Sequence, residues 1–232
     1  MKIRDLRLTP IDGGGSRATA RVEWEDSVRP ARKIFIEARG SAGPDLLASG
    51  DAFLLACFPA AFRHRERRVL LEGSVCPRLR DGIVSAMQLL RFWYEPDRPL
   101  PALEASRGFR PPDLPAARPV GMFLSGGVDS LFTLRKNMRE IPAGHAASVR
   151  AGLQVFGHDC PDPDAGPWTK GDYARIGASI GRVAADAGIE LVPMRFNVRA
   201  LDPDAELYID ESSGAALAAA AHAMVRRFGT VL

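Results

Sequence analysis

The stretch Ser125-Gly126-Gly127-Val128-Asp129-Ser130 combines residue types suited to holding a polyphosphate with a metal ion. Two consecutive glycines remove Cβ atoms, so the backbone can turn tightly and come close to a ligand. The segment follows the apolar run Val120-Gly121-Met122-Phe123-Leu124 and precedes a helical pattern from Leu131 to Arg139. The amides after the glycines are therefore the orphan donors of a helix N-terminus, where the helix dipole also favours negative charge. Ser125 and Ser130 add hydroxyl donors. Asp129 would repel a bare phosphate, but it suits a magnesium ion, which binds through one or two carboxylates plus phosphate oxygens. A polyphosphate carrying magnesium is the direct reading, with Asp129 as metal ligand; a glycine turn capped by Asp or Ser is the alternative. The spacing is neither GxxxxGK[ST], since no lysine follows the glycines, nor GxGxxG.

Other reactive residues are dispersed. The loop opening with Gly157-His158-Asp159-Cys160 and carrying Asp162 and Asp164 reads as a metal or nucleotide contact, or as a Pro/Asp-rich turn. Nothing local lowers the pKa of Cys160. Arg195 and Arg199 suit a phosphate or a substrate carboxylate, or stand as solvated strand-end arginines. A long segment from Phe196 to Glu211 has the length of a lid or binding loop. Asp210 and Glu211 complement the dipole of the helix after them, and His222 reads as a packed or surface histidine in an alanine-rich helix.

The elements that must position these groups fall into two parts. Over residues 1–94, Ala18 to Trp24 and Lys33 to Ala38 alternate as half-exposed strands. A helix opens at Ser49-Gly50-Asp51, Val69-Leu70-Leu71 is a short strand, and a second helix starts at Pro77, where a first turn tolerates proline. This is a mixed α+β N-terminal domain. Residues 95–119 hold seven prolines, which stiffen the chain and favour extended neighbours, so a linker is placed here. Residues 120–232 alternate strand and helix: Val120–Leu124, Gly152–Phe156 and Ile189–Phe196 are strands, Asp172–Ala187 and Ser212 or Ser213 to Arg227 are helices, and Thr230-Val231-Leu232 begins a fourth strand. The fold class is α/β, with a parallel sheet and right-handed crossovers. Because the sequence stops on three strand-like residues, this domain is expected to be C-terminally incomplete, with an edge that a second copy in a homodimer, or the first domain, would cover.

The segment Gly121 to Leu131 (GMFLSGGVDSL) resembles the PP-loop of the ATP pyrophosphatase superfamily, which includes GMP synthetase, NAD synthetase, asparagine synthetase, argininosuccinate synthetase and tRNA-modifying adenylating enzymes. The resemblance covers roughly Pro119 to Leu232 and is strong at the loop. It implies an adenine nucleotide alpha hydrolase-like sheet with Rossmann-like layers, and ATP with magnesium cleaved between the α and β phosphates to adenylylate an acceptor oxygen. Amine or sulfur transfer follows, as in a ligase. It implies that Ser125, Gly126, Gly127, Val128, Asp129 and Ser130 hold the pyrophosphate portion, and that backbone groups near Val155 and Phe156 face the adenine. The cysteine at position 2 of an asparagine-synthetase-type glutaminase is replaced by Lys2, and the paired cysteines and GHxxDD-type segment of the tRNA-thiolating and lysidine branches are missing. The acceptor, whether small molecule, peptide or RNA, is open. A non-catalytic nucleotide-binding or interaction protein is the alternative.

Composition sets the outer bounds. A 46% hydrophobic and 25% charged chain is ordinary for a globular protein, and it is long enough to bury a core without staples. No run reaches the 20 or so apolar residues of a membrane span, and the N-terminus carries no apolar stretch of a signal peptide. Cys57, Cys76 and Cys160 are dispersed, which fits a reducing cytoplasm. Four of the 31 basic residues are lysines and the rest arginines, with net charge +3. The one dense basic cluster, Arg63-His64-Arg65-Glu66-Arg67-Arg68, reads as a solvated helix end or as a nucleic-acid contact.

Overall fold

The computed structural model describes residues 1–158 and 170–232. Strands β1 (Lys2–Pro10), β2 (Gly15–Glu23) and β3 (Arg32–Arg39) form an antiparallel meander. The alternation read in the sequence is realised: Ala18, Ala20 and Val22 on β2 and Ile34, Ile36 and Ala38 on β3 turn to one face and are fully buried. That face is covered by α1 (Gly50–Arg63), an almost wholly apolar helix buried from Asp51 to Phe62. β4 (Arg68–Leu71) then returns parallel to β1. After α2 (Pro77–Tyr94), β5 (Ala102–Ala105) adds in parallel to β4. β5 lies inside the proline-rich segment, so part of the expected linker is a strand; its prolines flank the paired residues and leave the ladder donors intact.

The second part runs β6 (Val120–Phe123), α3 (Val128–Glu140), β7 (Val149–Phe156), α4 (Lys170–Asp186) and β8 (Glu190–Phe196). The short α5 (Ala205–Leu207), a π turn (Tyr208–Ser212), α6 (Ser213–Ala223) and the two-residue β9 (Thr230–Val231) follow. These strands pair in parallel in the order β8-β7-β6-β9. Leu134 of α3 and Ile180 and Ala184 of α4 pack on Met122 and Leu124 on one face. α6 packs with α1 on the other, against Leu153, Val192 and Met194. The crossovers from β6 to β8 thus stay on one face, and the return to β9 passes over the opposite face. No described helix is long and apolar enough to cross a membrane.

The two parts share one nine-stranded sheet, β5-β4-β1-β2-β3-β8-β7-β6-β9. Composition changes at residues 95–119, but the sheet does not break there, and one buried core takes residues from both sides. The seam is antiparallel and short, with Ile36, Glu37 and Ala38 opposite Phe196, Arg195 and Met194. Asn197 extends it with its side chain: Oδ1 accepts from the Phe35 amide at 2.7 Å, and Nδ2 donates to the Lys33 carbonyl at 3.1 Å. Because β1, β2, β3 and β8 alternate in direction, the C-terminal ends of β4 and β5 lie at the opposite edge of the sheet from those of β6, β7 and β8.

Glu37 is fully buried on the other face of the seam, beneath Arg17, Arg39 and Arg195. The Arg17 guanidinium sits 4.3 Å from the Phe35 ring centroid. Arginine stems therefore bury a face that alternation alone assigns to solvent. The basic cluster is also paired with carboxylates of this chain. Arg63 reaches Asp202 at 2.7 Å and Glu211 at 3.5 Å, His64 approaches the same Asp202, and Arg65 pairs with Glu95. Glu66 accepts the amides of Glu25 and Asp26, Arg67 pairs with Asp26, and Arg68 bridges Glu25 and Glu104. It is an ion-paired helix end in which Arg65 and Arg67 stay largely exposed to solvent.

Asn197→Leu strands a backbone donor and acceptor at the seam, and urea denaturation should show a loss of about 1–3 kcal/mol. Arg68 holds the Glu25 carboxyl at about 2 against an ordinary 4.5, with burial opposing it and Lys2 assisting. A carboxyl lowered in the folded state stabilises above its unfolded pKa and ceases to as pH falls through its folded one. Glu25→Gln should therefore be less stable than the parent at neutral pH by about 1 kcal/mol. That difference should close between pH 4.5 and about 2.

Candidate functional site

Leu124 donates its amide to Leu153, which ends the ladder of β6, and the chain turns at once into the glycine loop. Gly126 has φ +84°, a region that an L side chain occupies only under strain. A Cβ there would overlap Cδ1 of Ile180 on α4. Gly127 is the N-cap of α3, with φ −73° and ψ 162°, and supplies no side-chain cap. The amides of Val128, Asp129 and Ser130 fall in the first helical turn, where no intrahelical acceptor exists. The serines organise the loop from within: the Gly126 amide donates to Ser130 Oγ at 3.2 Å, the Gly127 amide to Ser125 Oγ at 3.2 Å, and Ser130 Oγ donates to the Gly127 carbonyl at 2.9 Å. The Val128 side chain points to solvent, 78% exposed, so this residue offers its amide rather than its side chain.

The loop opens on a cleft of about 380 Å³. Asp129, Ser130 and Thr133 of α3 form its polar lip, and Leu153, Val155 and Leu217 form apolar walls, with His158 and Leu232 at the margin. Its position follows from the topology. β7 and β9 leave β6 on opposite sides by crossovers on opposite faces, and in open α/β sheets the crevice at such a switch, beyond the carboxyl ends of the strands, is where ligands bind. A polar lip over apolar walls is the usual make-up of a small-molecule site.

The other sequence candidates separate. Val155 lines the cleft, whereas Phe156, the next residue on β7, faces away and packs edge-on against Tyr173 of α4 at 4.8 Å. Arg195 also points to that far face, 5.9 Å from the Tyr173 ring centroid and 3.8 Å from Glu37. Arg199 is 9% exposed, and its Nη1 donates to the His158 carbonyl at 3.0 Å. It braces the loop after β7 and does not line the cleft. His222 is half-buried beside Asp51; burial pushes its imidazole down, with Asp51 opposing. Asp159, Cys160, Asp162 and Asp164 lie outside the described residues. Cys57 is buried in the core, which pushes its thiol up and away from nucleophilic use. Among the described residues no group of three or more His, Cys, Asp or Glu side chains could hold a metal ion by itself.

His158, named in the sequence within the loop after β7, completes the wall together with Tyr208 and Leu217, which the sequence did not single out. His158 lies at the cleft margin and stacks edge-on to Phe196 at 4.9 Å. Its Nδ1 is 2.9 Å from the hydroxyl of Tyr208, a buried side chain on the π turn. π turns inside helices are frequent at functional sites, but this one has no sequence signature. Gly157 sets the approach: with φ +114°, its Cα passes so close to the Phe196 carbonyl that any Cβ would collide with it. Leu217, the one large side chain in an alanine run, is the signal that could have marked α6 as a wall.

No known protein family, curated protein or solved structure matches this chain. The geometry makes the two loop glycines separable by experiment. Gly126→Ala meets both a left-handed backbone and Ile180, and should cost about 1–3 kcal/mol in chemical denaturation. Gly127→Ala meets only Ser125 Oγ at 3.4 Å in an ordinary conformation, and should stay within about 0.5 kcal/mol of the parent.

Proposed function

We propose that the chain binds ATP with magnesium at the Ser125–Ser130 loop and uses it to adenylylate an acceptor oxygen, releasing pyrophosphate. The observation that carries this reading is the uncapped first turn of α3, whose amides open together with Asp129 onto a cleft at the sheet's switch point. The resemblance of GMFLSGGVDSL to the PP-loop supports the same assignment, and an adenine nucleotide alpha hydrolase-like arrangement of the β6–β9 half is part of this proposal.

The roles divide by chemistry. The amides of Val128, Asp129 and Ser130 are placed to neutralise the charge that grows on the leaving pyrophosphate, and they need no reorganisation to do so. The hydroxyls of Ser125 and Ser130 can exchange their loop contacts for phosphate oxygens. The lone carboxylate of Asp129 fits magnesium, which takes most of its ligands from phosphate and water, and the ion would supply charge neutralisation at the phosphates. Leu153, Val155 and Leu217 give the base an apolar seat. The acceptor oxygen attacks the α phosphorus, the bond to the β-phosphate oxygen breaks, and pyrophosphate leaves. An amine or sulfur nucleophile then attacks the activated carbon and expels AMP. Positioning supplies most of the rate enhancement in such a scheme.

Calorimetry with ATP and magnesium should give saturable binding. Gly127→Val, which fills the phosphate approach without straining the loop, should abolish it, and Asp129→Asn should weaken it about tenfold, or about 1.4 kcal/mol, only when magnesium is present. Unchanged affinity in Gly127→Val would refute the site. When turnover is followed by ion-exchange chromatography, AMP and pyrophosphate should be the products. ADP and phosphate would rule out the reaction class, while binding without turnover would leave a nucleotide-binding protein.

A further inference from the structure

Between α1, α2 and α6 lies a second depression, of about 370 Å³, floored by apolar side chains such as Leu55, Phe58, Ile83 and Ala218. It is open because two of its lining residues are glycines: a Cβ built on Gly82 of α2 or on Gly214 of α6 meets nothing within 4 Å. Beside it, α2 projects Leu89, Phe92 and Trp93, which are 50%, 76% and 63% exposed. Gly82, Ala86, Leu89 and Trp93 recur at spacings of three and four and so share one stripe of the helix. The stripe is graded, with small residues and a hollow towards its N-terminal end and large projecting side chains towards its C-terminal end.

We propose that this face of α2 is a homodimer interface in which two copies pack with their α2 helices antiparallel about a twofold axis near Ser85 and Ala86. Only that arrangement sets the projecting half of each stripe into the hollow half of the other; a parallel pairing would oppose Trp93 to itself and leave both hollows empty. A twofold interface must be self-complementary in this way.

Charge follows the same symmetry. The groove ends in the exposed Asp210, next to Glu211, which is already paired with Arg63. That end lies beside the C-terminal end of α2, since Glu211 approaches Arg63 at the end of α1, whose Phe62 ring carries Arg98 from just beyond α2. Antiparallel packing brings the exposed Arg78 at the start of α2 in the second copy to this acidic end. The interface is separate from the sheet edge at β9. It is also independent of the nucleotide reading.

Sedimentation velocity across the micromolar range should show a dimer. Replacing Phe92 and Trp93 together by serine should weaken it about thirtyfold or more, as loss of central aromatic anchors does, with the circular dichroism spectrum unchanged. Arg78→Glu and Asp210→Arg should each weaken it several-fold, and combining them in one chain should restore it. A monomer at every concentration, a dimer indifferent to loss of both aromatics, or a charge-swapped pair that fails to recover would each overturn the proposal. The first result would leave the groove to a different partner, and the second would place the dimer on another face.

Discussion

Three residue pairs and one asparagine hold the two halves of this molecule in a single sheet. The β3–β8 seam is short, three residue pairs, and it joins the antiparallel meander of the first half to the parallel strands of the second. Asn197 adds a donor and an acceptor in the backbone's own geometry, so the strand edge of β3 stays satisfied one residue beyond the last pair. Phe196 and Ile36 close the seam from the side of α1, and Glu37 with its arginines closes it from the other. Because the seam fixes β8, it also fixes β7 and β6, and with them the wall and the floor of the cleft.

Many of the arginines behind the pI near 9.0 are paired within the fold. Those in the dense run at the end of α1 pair with carboxylates from the turn after β2, from Glu95 and β5, and from the segment after β8. Arg118 is spent on carbonyls, donating to Val225 at 2.6 Å and Phe228 at 3.2 Å, which anchors the return to β9 beside β6. Planar, multi-donor guanidinium groups suit this internal cross-linking better than lysine would. The chain's arginine content therefore has a structural use in addition to whatever set its composition.

Much of this was legible in the sequence because the signals were local. Apolar alternation marked β2 and β3, an unbroken apolar run marked β6, and two glycines before a helix marked the loop. What was missed was masked by local irregularity or depended on partners far away in the chain. β1 did not read as a strand because Asp5, at φ +56° in a bulge between Arg4 and Arg7, breaks its period. β5 was hidden by the prolines around it. Tyr208 and His158, 50 residues apart, meet only because β8 lies beside β7. The opposite facing of Val155 and Phe156 was available in principle, since adjacent strand residues point to opposite faces. The consequence for Arg195 required knowing that α4 covers that side.

The seam also sets a timetable for synthesis. The contact between Phe35 and Asn197 spans 162 residues, and at roughly 5–20 residues per second the ribosome needs about 8–32 s to deliver the second partner after the first. Throughout that interval β1, β2 and β3 have been made, and β3 waits as a bare edge with its donors and acceptors in water. The residues along it then have a second meaning: Arg32, Lys33, Glu37 and Arg39 put charges on a strand that would otherwise invite the wrong neighbour, as edge strands do. Glu37 ends up buried and matched, but while the chain is still growing it guards the edge that it later helps to close.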